Sequence, residues 1–315
     1  MSKAKYVADL SGPSDHLFIR ATSTILFFLV VWILSMAVPI IIVVAIGFGY
    51  YKLAGLFMSS VVVAYMPWKR INALRPFFAT GFSRYFKESS IVFEEAPPSK
   101  STPEGLYCVH PHGIFCMGWG GLFARPEFEH VHFCFSSVLY NSPFFQCLAK
   151  LVGNPEPADK KTFQRLMKER KSMALIPGGF EEATIHCNTR HRVFCKNRCG
   201  FVKYALENGY PLIPIYCFGE NQTYNNLQGM WKFRLWLNSL GFPGVMPFGT
   251  WWFPLLPKNK KMHIVVGKAI KLPCFQKPTK DQINEYHTKY VDALKKLFDD
   301  NKKDYGEEGN SLEVW

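Results

Sequence analysis

The segment Leu106-Tyr107-Cys108-Val109-His110-Pro111-His112-Gly113 places a short apolar run directly before two histidines, a proline and a glycine. In α/β enzymes the carboxyl end of a buried strand is where catalytic groups are presented. A histidine there can accept a proton and return it near neutral pH. The proline restricts its own φ and the residue before it, which predicts a defined relation between the two rings. The segment therefore predicts an α/β sheet with a base at its carboxyl edge, and two histidines in a polar turn are the alternative.

The rest of the chain after residue 105 alternates apolar runs with helix-like segments, which is typical of an α/β sheet. Strands are predicted at Leu106–Val109, Val131–Phe135, Met173–Ile176, Leu212–Tyr216 and His263–Val266. Helices are predicted from the N-cap Asp159 to Lys171, over Phe201–Asn208, and after the capping box Thr279-x-x-Gln282. The run from Tyr210 to Tyr216 holds two prolines, which suit a pocket edge better than a central strand. Core packing is the alternative, since it would explain the leucine and isoleucines of the run.

Composition indicates a protein that meets lipid. Hydrophobic residues make up 48% of the 315 residues, aromatic residues 16%, and the formal net charge is +13. Such an excess suits nucleic acid, anionic headgroups or a polyanionic substrate, and the apolar segment near the N-terminus favours the last two. No nucleic-acid partner is expected. Nine cysteines without a C-x-x-C pair indicate reduced, cytosol-facing thiols.

Between Ile25 and Met66 the only charged residue is Lys52, and about 20 apolar residues suffice for one membrane span. Basic residues flank the segment on both sides, which predicts a transmembrane hairpin with both ends in the cytosol. A wedge in one leaflet is the alternative. The expected organisation is a cytosolic segment at 1–23, the hairpin at 24–67, an interfacial segment and linker at 68–105, and the catalytic domain at 106–315. For the basic aromatic stretch from Trp68 to Lys87, a helix packed on the catalytic domain is an equal alternative.

Two further clusters carry candidate site residues. Pro177-Gly178-Gly179-Phe180-Glu181-Glu182 follows a predicted strand, so that Gly178 and Gly179 could present amide groups and Glu182 could orient a histidine. A tight turn with a solvated acidic pair is the alternative. The second cluster is basic and suits phosphate groups, although a solvated face would look the same. Its members are Arg190, Arg192, Lys196, Arg198 and Lys203. The scattered histidines and cysteines lack metal-site spacing, so no metal is expected.

Five motifs in a fixed order resemble the type-2 diacylglycerol acyltransferase family, which includes monoacylglycerol and wax-alcohol acyltransferases. They are His110-Pro111-His112-Gly113, the Pro177-Gly178-Gly179 block ending in Glu182, Arg198-x-Gly200-Phe201-Val202-Lys203-x-Ala205, Tyr216-x-Phe218-Gly219-Glu220-Asn221 and Tyr286-His287-Thr288-x-Tyr290. The resemblance implies a glycerolipid-acyltransferase-like α/β domain behind the hairpin. The wider family of glycerolipid acyltransferases uses a His-x4-Asp motif, but Met117 stands five residues after His112, so Glu182 is the natural substitute.

The resemblance implies acyl transfer from acyl-CoA to diacylglycerol, in the endoplasmic reticulum membrane and on lipid droplets, without a cofactor. His112 is the expected base and His110 the second candidate, with Glu182 holding the tautomer of the base. Gly113, Gly178 and Gly179 would stabilise the oxyanion, and the basic cluster would hold the phosphates of CoA. Cys108 and Cys116 flank the histidines without an obvious activating partner, which favours direct transfer over a covalent acyl-enzyme.

Three alternatives stay open at this point. The acceptor could be monoacylglycerol or a fatty alcohol, and the chain could be a non-catalytic lipid-droplet protein or a metal hydrolase. Homo-oligomerisation, acyl chain length and the choice between the two histidines are not decided by the sequence. Asn221-Gln222-Thr223 is a glycosylation sequon, which must stay unmodified if the domain faces the cytosol.

Overall fold

The described residues form an eight-stranded mixed sheet at the centre of the fold. Its strands lie side by side in the order β1-β2-β9-β8-β3-β6-β4-β5. The computed structural model describes residues 6–9, 26, 34–241 and 244–315. The strands are β1 (Tyr6–Asp9), β2 (Glu88–Phe93), β3 (Leu106–His110), β4 (His132–Phe135), β5 (Pro155–Pro157), β6 (Met173–Leu175), β7 (His191–Val193), β8 (Leu212–Phe218), β9 (Lys261–Val266) and β10 (Leu312–Val314). Strands β7 and β10 form a separate parallel pair. The predicted α/β sheet is therefore present.

The middle of the sheet is parallel. Strands β8, β3, β6 and β4 lie side by side in parallel, while β9 joins β8 antiparallel. Every residue of β3 and β8 is buried, as expected for strands covered on both faces. Because β6, β3 and β8 are parallel neighbours, their carboxyl ends meet at one edge of the sheet.

The expectation for the run with two prolines is wrong. Pro214 lies in β8, a central strand, and none of the residues from Leu212 to Tyr216 is among those that line the cavity described below. The backbone of Pro214 faces β9, where its carbonyl accepts from the amide of Gly267 at 2.8 Å. Strand β9 has ended at Val266, so the missing N–H of the proline costs the ladder little there.

Helices cover both faces of the sheet. They are α1 (Ser35–Gly47), α2 (Tyr51–Ala64), α3 (Leu74–Tyr85), α4 (Met117–Ala124), α5 (Ser137–Tyr140), α6 (Pro143–Val152), α7 (Lys160–Lys168), α8 (Gly179–Thr184), α9 (Gly200–Asn208), α10 (Trp231–Ser239) and α11 (Lys280–Asn301). The predicted caps are present: Asp159 accepts from the amide of Thr162 at 2.8 Å, and Thr279 and Gln282 form the capping box of α11. Gly209 ends α9 with φ +64°.

Helices α1 and α2 pack against each other as a helical hairpin joined by a short turn. Both helices also contact α6. The hairpin exposes apolar side chains such as Val43, which is 70% exposed, and Leu56, which is 67% exposed. Within the described ranges, no helix combines the length and the apolar character needed to cross a bilayer. Of the predicted hairpin at 24–67, residues 24, 25 and 27–33 lie outside the described residues.

The expected boundary between linker and catalytic domain at 105/106 cuts through the sheet. Strand β2 pairs in parallel with β9 along its whole length, and β1 pairs with β2. Within the stretch from Trp68 to Lys87, α3 buries Phe78 and Tyr85 against the core, so the packed-helix alternative fits α3. The sheet therefore includes residues from two of the three segments that were expected to precede the domain, 1–23 and 68–105.

Candidate active site

The carboxyl ends of three neighbouring parallel strands supply the groups of the candidate site. Strand β3 ends at His110 and continues into Pro111, His112 and Gly113. Strand β6 leads through Pro177 into α8, which carries Glu182. Strand β8 leads into a short 3-10 turn that begins with Glu220. The order of the strands in the sheet thus brings two carboxyl groups to opposite sides of the histidine loop.

His110 is sealed in the interior and both of its ring nitrogens are engaged. Its Nδ1 lies 3.3 Å from each carboxylate oxygen of Glu182, and its Nε2 lies 3.0 Å from the hydroxyl of Tyr290 on α11. His110, Glu182 and Tyr290 are each at most 1% exposed. Donation from Nδ1 to the carboxylate and from the tyrosine O–H to Nε2 satisfies all three groups.

Glu182 is the most heavily bonded group of the site. Beside His110, it accepts from the amide of His112 at 2.6 Å and from the amide of Phe194 at 2.8 Å. Burial opposes ionisation, but His110 and these two amides outweigh burial and hold the pKa of Glu182 below its usual range. The carboxylate is therefore charged and fixes the backbone of the histidine loop.

His112 is the histidine that faces open space. Its side chain is partly exposed and lines the large cavity described below. Its Nδ1 lies 2.9 Å from the carbonyl of Gly113, and because a carbonyl can only accept, the hydrogen sits on Nδ1. Burial lowers the pKa of His112, with smaller opposing effects from Gly113 and Glu182. The ring is thus neutral at pH 7, with the lone pair on Nε2.

Two expectations about this loop need correction. Glu182 contacts the ring of His110 and only the backbone of His112, so the tautomer of His112 is set by Gly113 instead. Cys116 does have a neighbour of the activating type, because its Sγ lies 3.4 Å from Nε2 of His112, the nitrogen that carries the lone pair. Burial, followed by Glu220 and Glu182, raises the pKa of that thiol well above its usual value, so it stays protonated.

Glu220 was part of a quoted motif but had no expected role. Its carboxyl oxygens accept from the amides of Met117 at 3.1 Å and Gly118 at 2.6 Å, the first turn of α4. The residue is fully buried, and burial raises its pKa to about 8 against the opposing effect of the two amides. A side chain on Gly113, which has φ +63°, would collide with this carboxyl group.

Gly178 has the same relation to Glu182. A Cβ at Gly178 would collide with the Glu182 carboxylate, so the two glycines make room for the two buried carboxyl groups. Gly179 has φ +55° and lines the cavity. These placements explain why glycine occurs at 113 and 178 by packing, and the expected oxyanion role of the three glycines stays a prediction.

A cavity of about 1020 Å³ opens beside His112. Its walls are mainly apolar and aromatic, and they include Phe78 and Phe82 of α3 and Trp119 of α4. The polar lining residues include His112, Lys160, Asn197 and Arg198. A volume of this size, largely apolar with few polar groups, suits a substrate with a long hydrocarbon chain.

The structure separates the predicted basic cluster. Of its five members, only Arg198 is among the residues that line the cavity, and it also pairs with Glu181. Arg190 and Arg192 both bind Glu313 of β10, at 3.2 Å and 2.9 Å. Lys203 lies 3.8 Å from Glu207 on the exposed side of α9, and the amide of Lys196 donates to the carbonyl of Trp315. Four of the five therefore lie outside the cavity. Arg192 lies in β7, which pairs with β10 and not with the main sheet.

Two further expectations from the sequence concern a metal ion and the glycosylation sequon. No cluster of three His, Cys, Asp or Glu side chains suited to a metal ion occurs within the described residues. Asn221 is 5% exposed, and its Nδ2 lies 3.4 Å from the carbonyl of Asn188. The sequence assigned no role to Tyr290 or Glu220, although both stand in the motifs that resemble the family.

A family model described as diacylglycerol acyltransferase matches residues 64–315. Human diacylglycerol O-acyltransferase 2 is 31% identical over 251 residues, which cover 71% of this chain and 63% of that protein. Human acyl-CoA wax alcohol acyltransferase 2 is 28% identical over 256 residues, which cover 74% of this chain and 75% of that protein.

A third relative is mouse 2-acylglycerol O-acyltransferase 1, which is 29% identical over 246 residues and is covered to 72% of its length, against 71% of this chain. The match to human diacylglycerol O-acyltransferase 2 spans less than two thirds of that protein's length. Among solved structures, 1-acyl-sn-glycerophosphate acyltransferase from Thermotoga maritima matches with a TM-score of 0.41 and 12% identity, covering 82% of this chain and 93% of that one.

Proposed function

Because the chain belongs to the diacylglycerol acyltransferase family, we propose that it transfers a fatty acyl group from acyl-CoA to the free hydroxyl of diacylglycerol. The observation that carries the proposal is a neutral histidine, His112, whose side chain lines a large apolar cavity. The product is triacylglycerol. The thioester of acyl-CoA already carries the activation, so the proposed reaction uses no cofactor and no metal.

The lone pair on Nε2 of His112 serves as the base. It takes the hydroxyl proton while the hydroxyl oxygen attacks the thioester carbonyl, and the resulting imidazolium gives that proton to the departing thiolate. General acid–base catalysis of this kind contributes about 10²–10⁴-fold. The lowered pKa of His112 keeps the ring in its basic form at neutral pH.

His110 and Glu182 act as positioning residues in this mechanism. Both ring nitrogens of His110 have partners in the sealed interior, so it has no free lone pair to offer a substrate. Glu182 fixes the amide of His112 and its negative charge favours the imidazolium that forms. Amide groups of Gly113, Gly178 or Gly179 would stabilise the oxyanion, each donor contributing about 3 kcal/mol.

Direct transfer remains the proposed route even with Cys116 beside His112. A thiol whose pKa is raised by burial and by two carboxyl groups is a weak nucleophile. Full activity in a Cys108→Ala, Cys116→Ala double variant is expected, since direct transfer needs neither sulfur. Loss of activity in the folded double variant would indicate a covalent acyl-enzyme.

The phosphates of CoA are assigned to Arg198, which lines the cavity together with Lys160 and Asn197. Arg198 stands just before the N-terminus of α9, where helix amides also favour phosphate. Of the five basic residues expected to bind the phosphates of CoA, only Arg198 keeps that role in the proposal. Substitution of Arg198 by Gln is expected to raise KM for acyl-CoA more than it lowers kcat.

Two other acceptors remain candidates, because relatives named for wax alcohol and for 2-acylglycerol match about as well. The chain would then make wax esters or diacylglycerol by the same chemistry. A non-catalytic role on lipid droplets is the remaining alternative. An acceptor panel separates all of these.

We propose that the protein sits in the endoplasmic reticulum membrane, and on lipid droplets, through the apolar segment at 24–67, with the catalytic domain in the cytosol. Exposed apolar side chains on α1 and α2 support membrane attachment. Asn221 must then carry no glycan. A glycosidase-sensitive mobility shift that disappears in Asn221→Gln would overturn this orientation.

The decisive experiment measures acyl transfer in microsomes that express the wild type or His112→Ala at matched levels. Labelled acyl-CoA is offered with diacylglycerol, monoacylglycerol or fatty alcohol in turn. Triacylglycerol made by the wild type and lost in the variant is the expected result. Product from another acceptor would identify that acceptor as the substrate. If no histidine-dependent product forms with any of the three, the non-catalytic role becomes the better account.

A further inference from the structure

Helix α10 lies with its polar side toward the protein. Arg234 is 4% exposed, and its guanidinium donates to the carbonyls of Gly244 at 2.7 Å and Thr184 at 2.9 Å. Asn238 donates to the hydroxyl of Thr184 at 2.9 Å and accepts from the amide of Gly244 at 2.9 Å. These bonds fix the rotation of the helix, because turning it would leave a buried guanidinium without acceptors.

The opposite side of α10 is apolar and exposed. Phe233 is 49% exposed, Trp236 is 54% exposed, and Leu240, just past the helix end, is 53% exposed. An amphipathic helix on a water-soluble surface turns its apolar stripe inward, so α10 has the reverse arrangement. The arrangement is favourable only if a nonpolar environment covers the outward side.

The loop after α10 also exposes large aromatic side chains. Phe248 is 49% exposed, Trp252 is 58% exposed and Trp251 is 93% exposed. We call these three residues with Phe233, Trp236 and Leu240 the aromatic face. Tryptophan-rich apolar surfaces of this kind are typical of the boundary between hydrocarbon and headgroups.

The charges around the aromatic face select the partner. From residue 221 to 280 the sequence contains no Asp or Glu, while Lys232 and Lys260 are exposed. A surface with exposed cations and no acidic side chain in its segment complements the negative potential of anionic phospholipids. The cavity adds a second link to lipid, since Gly241 and Val245 line it together with His112.

We propose that the aromatic face docks on a phospholipid bilayer and holds the mouth of the cavity against the lipid. The docking is separate from the N-terminal apolar hairpin and lies on the other half of the chain. The entry of the acyl acceptor from the bilayer into the cavity rests on the proposed function; the lipid contact itself does not. Thr184, which bonds both Arg234 and Asn238, ends the helix that carries Glu182, so the face is fixed rigidly to the site.

Tryptophan quenching tests the contact directly. The full chain is reconstituted in vesicles of phosphatidylcholine and phosphatidylserine that contain brominated acyl chains, and the quenched fraction of the fluorescence is measured. A triple variant, Trp236→Phe, Trp251→Phe and Trp252→Phe, is expected to lose most of the lipid-dependent quenching contributed by the catalytic domain. The control is Trp231→Phe, because Trp231 packs against Trp315 with ring centroids 5.7 Å apart and should not report lipid.

Equal quenching in the triple variant and the control would overturn the proposal. So would tryptophans that are shielded only at high protein concentration without lipid, since a second copy would then cover the face. Omission of phosphatidylserine is expected to reduce the quenching, because the lysines lose their counter-charge. Each readout is independent of activity and survives even if the chain transfers no acyl group.

Activity provides the second measurement. Replacing Phe233, Trp251 and Trp252 by Ser is expected to raise the apparent KM for diacylglycerol in vesicles about tenfold, which corresponds to losing part of the burial of a few aromatic side chains. The kcat with a short-chain, water-dispersed acceptor is expected to stay unchanged. A fall in that kcat would show that the face supports the site and not the bilayer contact, whereas an inactive wild type would refute the proposed function alone.

Discussion

Glu182 and Glu220 are two buried carboxyl groups that hold the same loop from opposite sides in different ways. Each occupies space left by a glycine, Gly178 for Glu182 and Gly113 for Glu220. Glu182 has a histidine partner and its pKa lies below the usual range, whereas Glu220 has two amide donors and a pKa of about 8. A histidine partner together with two amide donors therefore keeps a buried carboxyl group charged, whereas two amide donors alone do not.

The difference assigns separate tasks to the two groups. Charged Glu182 ties the amides of His112 and Phe194 to the ring of His110 and favours a proton on His112. Glu220 caps the first turn of α4 and fixes the other end of the loop. His112, which stands between them, is free to face the cavity.

The largest effect is expected for Glu182→Gln. Removing one partner of a buried ion pair typically lowers the free energy of unfolding by about 3–5 kcal/mol. The NH2 group of the new glutamine would also face a backbone N–H that had donated to the carboxylate. Acyl transfer is expected to fall with the melting temperature, because the His112 backbone loses its anchor. Thermal unfolding and activity of the purified chain check this, with the exposed Glu285→Gln as control. A fully stable, active variant would contradict the assigned task.

The pH dependence of stability distinguishes the two carboxyl groups. Glu182, with its lowered pKa, contributes stability above about pH 4.5 that is lost in more acidic solution. Glu220 has the opposite sign. Between the ordinary carboxyl pKa of 4.5 and about 8 the folded state binds the extra proton, so stability falls by up to about 1.4 kcal/mol for each unit that the pH rises.

The variant Glu220→Gln isolates the second sign. At pH 6 it is expected to be less stable than the wild type by about 1–3 kcal/mol, because a buried amide donor loses its acceptor. The difference should shrink as pH rises toward 8, since only the wild type loses stability there. Thermal unfolding across this pH range measures it, and a difference that grows with pH would mean that Glu220 is ionised in the fold.

A smaller effect is expected for Tyr290→Phe. The variant removes the hydroxyl that lies 3.0 Å from Nε2 of His110, a hydrogen bond that contributes about 0.5–1.5 kcal/mol. Activity should fall by less than tenfold, because the ring of His110 keeps its bond to Glu182. Tyr286→Phe, one turn earlier on α11, is the control. An effect as large as that of Glu182→Gln would mean that the Tyr290 hydroxyl contributes as much to the site as the Glu182 carboxylate does.

The smallest effect is expected for Arg190→Gln. Its guanidinium is 62% exposed and pairs with Glu313 at 3.2 Å, and exposed pairs of this kind contribute about 0–1 kcal/mol. Neither stability nor KM for acyl-CoA should change measurably, in contrast to Arg198→Gln. A higher KM for acyl-CoA in Arg190→Gln would restore the original basic cluster as the phosphate site.

Local sequence preferences predict some features of the fold correctly and fail at others. The strand before His110, the helix cap at Asp159 and the stop at Gly209 follow from local preferences, and the structure has all three. Pro214 misled because a proline is unsuitable for a ladder only where a partner strand needs its N–H. Glu220 approaches the histidine loop because β8 lies directly beside β3 in the sheet, and the sequence does not reveal that neighbour.

The sequence by itself determined the α/β character, the family motifs and the identity of the histidine loop, because each depends on residues close together in the chain. Only the tertiary structure decided which histidine faces the cavity, since the partners of His110 come from 72 and 180 residues away. It also decided that Glu182 holds a backbone amide, that Arg190 and Arg192 bind the C-terminal strand, and that α10 turns its apolar side outward. These outcomes depend on the order of strands in the sheet, which short-range patterns do not encode.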